Sequence, residues 1–455
     1  MYIEMYSPPK PTPLTPLLAL LRTMWRGGGD LLSLLPAAAY RMGVGKLGYS
    51  RRTILLINRP DIVRSLMTDP TDIYPKNDLM VGALAPLVGE SIFVSNGPKW
   101  RRQRQMIGPA FSHMRLSTAF DAMSAAVDDF EARVTRDGET LRSLDLAMSE
   151  LTADVICRTV FSTRLDNDIA REVFEAFAMF EREVAQVELK RLIFEPAFTD
   201  VPQPDPVLVA CERIRRHLGT LVDRHQAVAC PHADIAQAVM DARDDKTGSP
   251  FSRKELIDQL GVFFLAGHET TASALTWAFY MLSCAPEVLA RVRDEVQRAV
   301  GVGEIQYEDI RKLPFTRNVF REALRLYPPI TFIPRVAAED ATIERFRVKR
   351  GAMLMIAPWT MHRHRDYWKQ PHAFDPDRFS RARQHELTPG AYLPFGQGPR
   401  VCVGKAFATV EATLILARLC RRFDVQIEDP GSVRPVARLT TRPAEEIQSR
   451  WRVRH

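Results

Sequence analysis

The sequence predicts a mainly α-helical fold with a minor β region, and three observations carry that prediction. From Pro98 to about residue 300, apolar side chains recur at three- and four-residue spacing with few β-branched runs. Strand-like runs are confined to Thr53-Ile54-Leu55-Leu56-Ile57 and to residues 330–357. The 455 residues are 46% apolar and 26% charged, too apolar for a disordered chain, and they hold no internal repeat or long linker. A Pro-rich N-terminal segment, residues 1–45, followed by one large domain over residues 46–455 is therefore expected.

Composition also excludes functions. The 62 Lys and Arg against 55 Asp and Glu leave a formal charge of +7, too small an excess for a dedicated nucleic-acid binder of this length. Six cysteines, at 157, 211, 230, 284, 402 and 420, are too sparse and irregular for a secreted disulfide scaffold, so reduced thiols and a cytoplasmic location are expected. Five prolines fall within residues 8–16, and the apolar stretch from Leu17 is broken by Arg22, Arg26, three glycines and Asp30. That order fits neither a membrane-spanning helix nor a secretory signal. Residues 14–40 are left with two readings, packing on the body of the protein (the simpler one, including over a channel mouth) or peripheral contact with a membrane surface.

Taken along the chain, a strand at residues 53–57 leads into a helix opened by Pro60, a residue suited to a first helical turn. The most readable helix begins at Ser252, where Ser252 and Glu255 have capping-box spacing, and runs to about Ser283, just before Pro286. At 1.5 Å per residue, roughly 30 residues span about 45 Å, enough to cross the core of a large domain. Midway stand Ala266, Gly267, His268, Glu269, Thr270 and Thr271, a small and polar group in an apolar stretch. The Thr270 hydroxyl can return to the carbonyl of Ala266 and, with Gly267, allow a local bulge or bend; a bulge would open space for a small molecule. Glu269 and Thr270 then place an acid and an alcohol side by side, a route for handing on protons.

Strand signals return over residues 330–357, and the next informative segment runs from Phe395 to Gly404 and feeds an Ala-rich helix from Lys405 to about Arg421. Cys402 therefore lies in a glycine-punctuated loop at a helix N-terminus, where backbone N–H groups stabilise a metal-coordinating thiolate. Gly398 and Gly404 permit tight turns and close approach to a flat cofactor, Arg400 can pair with a carboxylate, and Phe395 can shield the sulfur. By average residue usage, Phe395, Gly398, Arg400, Cys402 and Gly404 would co-occur at this spacing on the order of once in ten thousand chains.

With this loop and the AGHETT run, the sequence resembles the cytochrome P-450 family of haem-thiolate monooxygenases from about residue 50 onward. The resemblance implies haem b with Cys402 as the axial iron ligand, cofactor contacts from Ala266, Phe395, Arg400 and Gly404, and O2 as co-substrate. It makes Glu322 and Arg325 the ExxR pair, joined by Arg378 from Pro376-Asp377-Arg378-Phe379 in a buried structural triad. Trp100 and Arg104 resemble the family's WxxxR propionate-binding pair, Arg335 the second propionate-binding arginine, and His113 a further position near a propionate. Pocket-lining segments map to about residues 77–90, 175–205, 263–271, 330–333 and 439–441, with Phe263, Phe264, Ala266, Ile330, Phe332, Ile333 and Thr440 among them. A lipophilic substrate such as a terpenoid, fatty acid or steroid-like molecule follows, oxidised at a C–H or C=C bond. No GxGxxG lies between a strand and a helix, so electrons are expected from a separate ferredoxin- or flavodoxin-type donor with its NAD(P)H reductase. Lys99, Arg101, Arg102 and Lys405 are its expected docking face, and the enzyme is expected to be a monomer. A peroxide-driven peroxygenase is the nearest alternative, disfavoured by the Glu269-Thr270 pair; a haem sensor would keep Cys402 but need no such pair, and usually carries an output domain. His362 with His364, and His225 with Cys230 and His232, lack paired zinc spacing and read as structural.

Overall fold

The computed structural model describes residues 5–15, 17–19, 21–22, 30–47, 52–165, 168–184, 202–227 and 234–454. A four-stranded sheet forms first, from β1 (Val44–Leu47), β2 (Ile54–Ile57), β4 (Ile333–Val336) and β7 (Met353–Ile356), in the order β1-β2-β7-β4. β2 pairs in parallel with β7, and all four of its side chains are buried, as befits an interior strand whose faces are both covered. The return strands of the 330–357 region are completed by a hairpin, β5 (Ala341–Ile343) with β6 (Phe346–Val348).

Helices dominate the rest. In chain order they are α1 (Pro60–Thr68), α2 (Asp78–Val88), α3 (Gly97–Ile107), α4 (His113–Asp137), α5 (Leu144–Phe161), α6 (Asp168–Glu183), α7 (Asp205–Ala227) and α8 (Ile235–Asp241). α9 (Arg253–Cys284), α10 (Pro286–Ala299), α11 (Pro314–Leu326), α12 (Pro358–Met361) and α13 (Lys405–Arg422) follow. α9 starts where the capping box requires: the Ser252 hydroxyl accepts from the Glu255 N–H, and the Glu255 carboxylate accepts from the Ser252 N–H. Leu256 to Leu282 are almost all buried, which makes α9 the axis around which the others pack.

Several short strands carry little sequence signal. β3 (Leu141–Ser143) and β8 (Phe423–Ile427) flank β11 (Gln448–Val453), and β9 (Pro435–Ala437) pairs with β10 (Thr441–Pro443). The β9–β10 hairpin is held against the axis by its backbone, since the Thr441 carbonyl accepts from Ser273 Oγ at 2.7 Å and from Trp277 Nε1 at 2.9 Å.

The N-terminal residues pack on the body of the protein. Tyr6 donates to the Tyr280 hydroxyl at 2.9 Å, Pro9 accepts from the Tyr327 hydroxyl at 2.6 Å, and Trp359 donates to the Tyr40 hydroxyl at 2.8 Å. Leu32, Leu35 and Ala39 belong to the same apolar cluster as Trp451. Leu17, Leu18 and Leu21 stay exposed, and among the described residues no helix is long and apolar enough to cross a membrane.

Candidate active site

The cysteine loop is shaped by its glycines. The Cys402 N–H donates to the Phe395 carbonyl at 2.9 Å, closing the loop, while Gly396 and Gly398 adopt φ of 70° and 71°. At Gly398 a Cβ would also lie 2.6 Å from the Met67 carbonyl of α1, so only glycine fits. Gly404 is different: its φ of −83° suits any residue, and a Cβ there would stand 3.9 Å from the Cys402 sulfur. Protein atoms leave room for a side chain at that position, so what glycine keeps clear is the space beside the sulfur. Surrounding protein raises the Cys402 thiol by desolvation, and the N–H groups of Gly404 and Lys405 with the Arg104 guanidinium oppose that rise. Arg104 is steered there by its bond to the Val401 carbonyl at 2.8 Å.

On α9, Ala266, Gly267 and Thr270 are the residues between Leu256 and Leu282 that are half-buried, the others being buried. Ala266 and Thr270 are one turn apart and so share a face. That face is left partly uncovered by the neighbouring elements, as a face bordering an interior space would be. The Thr270 hydroxyl donates to the Ala266 carbonyl at 2.7 Å, as the motif suggests. A bulge does not form, because α9 is continuous through the motif; Gly267 instead lets α5 approach, since a Cβ there would sit 2.4 Å from Ile156 Cδ1. Glu269 is 1% exposed and accepts from Thr440 Oγ1 at 2.5 Å and from Arg442 Nε at 2.6 Å.

Of the other expected pocket residues, Ile330, Phe332 and Ile333 are half-buried at the start of β4, and Phe263 is buried edge-on against Phe111. Phe264 does not join them. It stacks on Phe177 of α6 at 4.8 Å and packs against His268, so it fastens two helices together.

Cations gather on another side of the loop. Arg400 lies over the Trp100 ring, 4.4 Å from its centre, and Arg335 is buried beside it. Lys76, which the sequence reading missed, bridges backbone to Arg335 and donates its ammonium to the Ile92 and Ser95 carbonyls at 2.6 and 3.0 Å. Burial, with Arg400 and Arg335 nearby, pulls Lys76 down to about 6 and, with Arg400, pulls Arg335 to about 10. The one carboxylate paired with this group among the described residues is Asp72, at 3.5 Å from Arg400, and it also binds Arg101. The Arg335 and Arg400 cations, with the Lys76 amine beside them and one shared acid, form a donor set for an anionic ligand. His113 begins α4, but its side chain lies outside the described residues, as do Cys230, His232 and most of the 175–205 segment.

Behind the loop, Glu322, Arg325 and Arg378 meet with almost no exposure. Arg325 is bidentate to Glu322 at 2.7 Å for both contacts, and Arg378 Nε reaches Glu322 Oε1 at 3.1 Å. Arg325 also donates to the carbonyls of His362, Pro371 and Ala373. His362 accepts from the Leu393 N–H just before the cysteine loop, and burial with two neighbouring arginines lowers it to about 3, so it is a neutral buttress. His225 bonds Asp234 at 2.9 Å.

Glu411 is the second residue the sequence reading missed. It lies on α13, fully buried, facing the Thr271 hydroxyl, with neither carboxyl oxygen in a well-formed hydrogen bond. Its one signal is an acid inside the apolar run of α13. Burial raises its pKa well above the carboxylate range, so the folded protein holds it protonated. A raised folded-state pKa contributes stability that is present at low pH and is lost as pH climbs from the unfolded value toward the folded one. Glu411→Gln is therefore expected to melt close to wild type at acidic pH and progressively above it as pH rises, gaining at most about 1.4 kcal/mol per pH unit. Melting curves of both proteins from acid to alkaline pH check this, and a constant gap would refute it.

A sulfur kept clear by glycine, an adjoining set of buried cations for acidic groups and an alcohol-bearing helix face define a haem-thiolate protein, for which the donor set and the clearance both fit. The chain belongs to the cytochrome P-450 family: the family model described as "Cytochrome P450" matches residues 11–448. It is 31% identical over 415 residues to cyclooctat-9-en-7-ol 5-monooxygenase of Streptomyces melanosporofaciens, covering 90% of this chain and 87% of that one. It is 28% identical to pentalenene oxygenase of Streptomyces avermitilis, with 87% of each chain covered. Among solved structures, the cytochrome P450DA heme domain superposes with a TM-score of 0.79 at 24% identity, over 91% of this chain and 89% of that one. The protein is an oxidoreductase of this family, whose cofactor is haem iron held by a cysteine thiolate.

Proposed function

We propose that the protein is a monooxygenase that inserts one oxygen atom of O2 into a C–H or C=C bond of a cyclic terpenoid, with electrons from a separate donor. The observation that carries this reading is the accessible Thr270 on the buried stretch of α9, one residue from the buried Glu269. When bound, the haem supplies oxygen activation, its thiolate ligand favouring O–O cleavage. The chain supplies the rest. Cys402 would hold the iron, while Lys76, Trp100, Arg104, Arg335 and Arg400 would bind the propionates and set the cofactor's orientation. Thr270 holds a hydroxyl at the edge of the interior space, and Glu269 beside it can replenish the proton that hydroxyl passes on. Phe332, Ile333 and Ala266 would exclude water and favour an apolar substrate. The two relatives named for cyclooctat-9-en-7-ol and pentalenene support a cyclic terpenoid over a linear fatty acid.

For the electron donor we propose an acidic ferredoxin or flavodoxin docking on the cysteine side. Lys99, Arg101 and Arg102 there already pair with Glu90, Asp72 and Glu255. Lys405 has no ion pair among the described residues, so it contributes the least-neutralised charge. The test of the whole reading is a screen of cyclic terpenes, fatty acids and steroids for spin-state shifts of the haem, followed by turnover of hits under labelled O2. Label in the product with O2 and reductant supports the reading. Turnover with peroxide alone and none with O2 would make the protein a peroxygenase, and a hit list without terpenes would overturn the substrate class.

A further inference from the structure

Glu269 is gripped from outside its own helix. Arg442 of β10 donates through Nε to Glu269 Oε1, touches the other oxygen through Nη2, and donates that same Nη2 to Glu181 Oε2 of α6 at 2.7 Å. One guanidinium is thus divided between two carboxylates that are 1% and 9% exposed. The remaining neighbours do not change the balance. His268 Nδ1 lies 2.8 Å from the Phe264 carbonyl, which can only accept, so this nitrogen carries the proton. Burial keeps the ring neutral, and the bare Nε2 faces Glu181 Oε1 at 3.6 Å without a bond. Thr440 donates a neutral hydroxyl to Glu269, and Glu411 on α13 faces Thr271. The acidic and imidazole atoms of Glu181, His268 and Glu269 lie close enough together to hold a metal ion, but Arg442 already supplies their positive charge.

We propose that Arg442 and Glu181 are positioning residues that together set how tightly the relay acid Glu269 is held: Arg442 fixes its carboxylate toward the β9–β10 hairpin, and Glu181 competes for that guanidinium. The inference rests on the oxygenase reading above, because it assigns Glu269 a proton to pass. Three elements meet at this one cation, so the seating of α6 is coupled to the readiness of the acid on α9. With Glu181 in place, Arg442 is shared and Glu269 can be released toward Thr270. With Glu181 neutral, Arg442 belongs to Glu269 alone.

The two residues therefore act in opposite directions, which a merely structural role would not produce. The experiment uses the haem-loaded protein, a heterologous ferredoxin and its reductase, and measures dioxygen consumption and hydrogen peroxide release as pH rises from mildly acidic to mildly alkaline. Among the described residues Arg442 is the positive charge paired with both buried carboxylates, so Arg442→Met is expected to raise the midpoint of the pH profile by about one to three units. Glu181→Gln should move it down, and Arg442→Lys should restore it toward wild type. A second readout is independent of turnover: the Arg442→Met, Glu181→Gln double variant should melt higher than Arg442→Met alone, because one of the two facing charges is gone. Midpoints that move the same way, or do not move, while the reduced carbon monoxide complex keeps its thiolate band, overturn the positioning role alone. Absence of that band in the wild type overturns the oxygenase reading itself.

Discussion

Cys402→Ala is expected to abolish the red-shifted absorption band of the reduced, carbon monoxide-bound protein and to reduce turnover below detection. The effect should be total because, among the described residues, no other thiol stands in a glycine-shaped loop at a helix N-terminus. Among the described residues Cys157, Cys211 and Cys420 are buried within α5, α7 and α13 and Cys284 ends α9, and burial pushes Cys211 and Cys420 up to about 12. The substitution should leave the fold intact, since the loop is closed by backbone and by Arg104 on the Val401 carbonyl, not by the cysteine side chain. Difference spectra of wild type and variant, with circular dichroism as the control for folding, check this. An imidazole-type spectrum from the wild type would overturn the assignment.

The second large effect is on stability. Arg325→Met is expected to destabilise the protein by about 3 to 5 kcal/mol, because it leaves Glu322 charged and buried with Arg378 as its one remaining ionic partner. It also deprives the carbonyls of His362, Pro371 and Ala373 of a donor. Denaturant unfolding measures the loss directly. The haem-free and haem-loaded proteins should both show it, since the triad's partners are one another and the carbonyls of His362, Pro371 and Ala373, not the residues that would hold the cofactor. A variant within about 1 kcal/mol of wild type would mean that the ion pairs are easily replaced, as some buried pairs are.

The extent to which these features could be read from sequence follows the range of the interactions involved. The start of α9 was legible because a capping box is local, confined to Ser252 and Glu255. The cysteine loop was legible because its glycines, arginine and sulfur act within ten residues. The strands were half visible: in the four-stranded sheet β2 and β7 are apolar runs, whereas β3, β9 and β10 of the smaller sheets are three residues each and exist through their partners. Lys76, Glu411 and Arg442 were invisible for the same reason. Arg442 reaches Glu269 across 173 positions, and nothing in Thr-Thr-Arg-Pro marks it as the keeper of an acid on another element. The bulge expected at Gly267 failed on packing: a glycine in a helix signals bending or close approach, and only the neighbour Ile156 decides which.

That contact between Gly267 and Ile156 has a bearing on how this scaffold can be diversified. The seam between α5 and α9 is tight at this point, so a side chain introduced at Gly267 must displace Ile156 before it reaches a substrate. The turn at Ile330, Phe332 and Ile333 is only half-buried and carries none of the proton-handling groups. With the pocket lining proposed above, substrate range should therefore evolve from these residues, while the α5 side behaves as a fixed jig that keeps Thr270 in register.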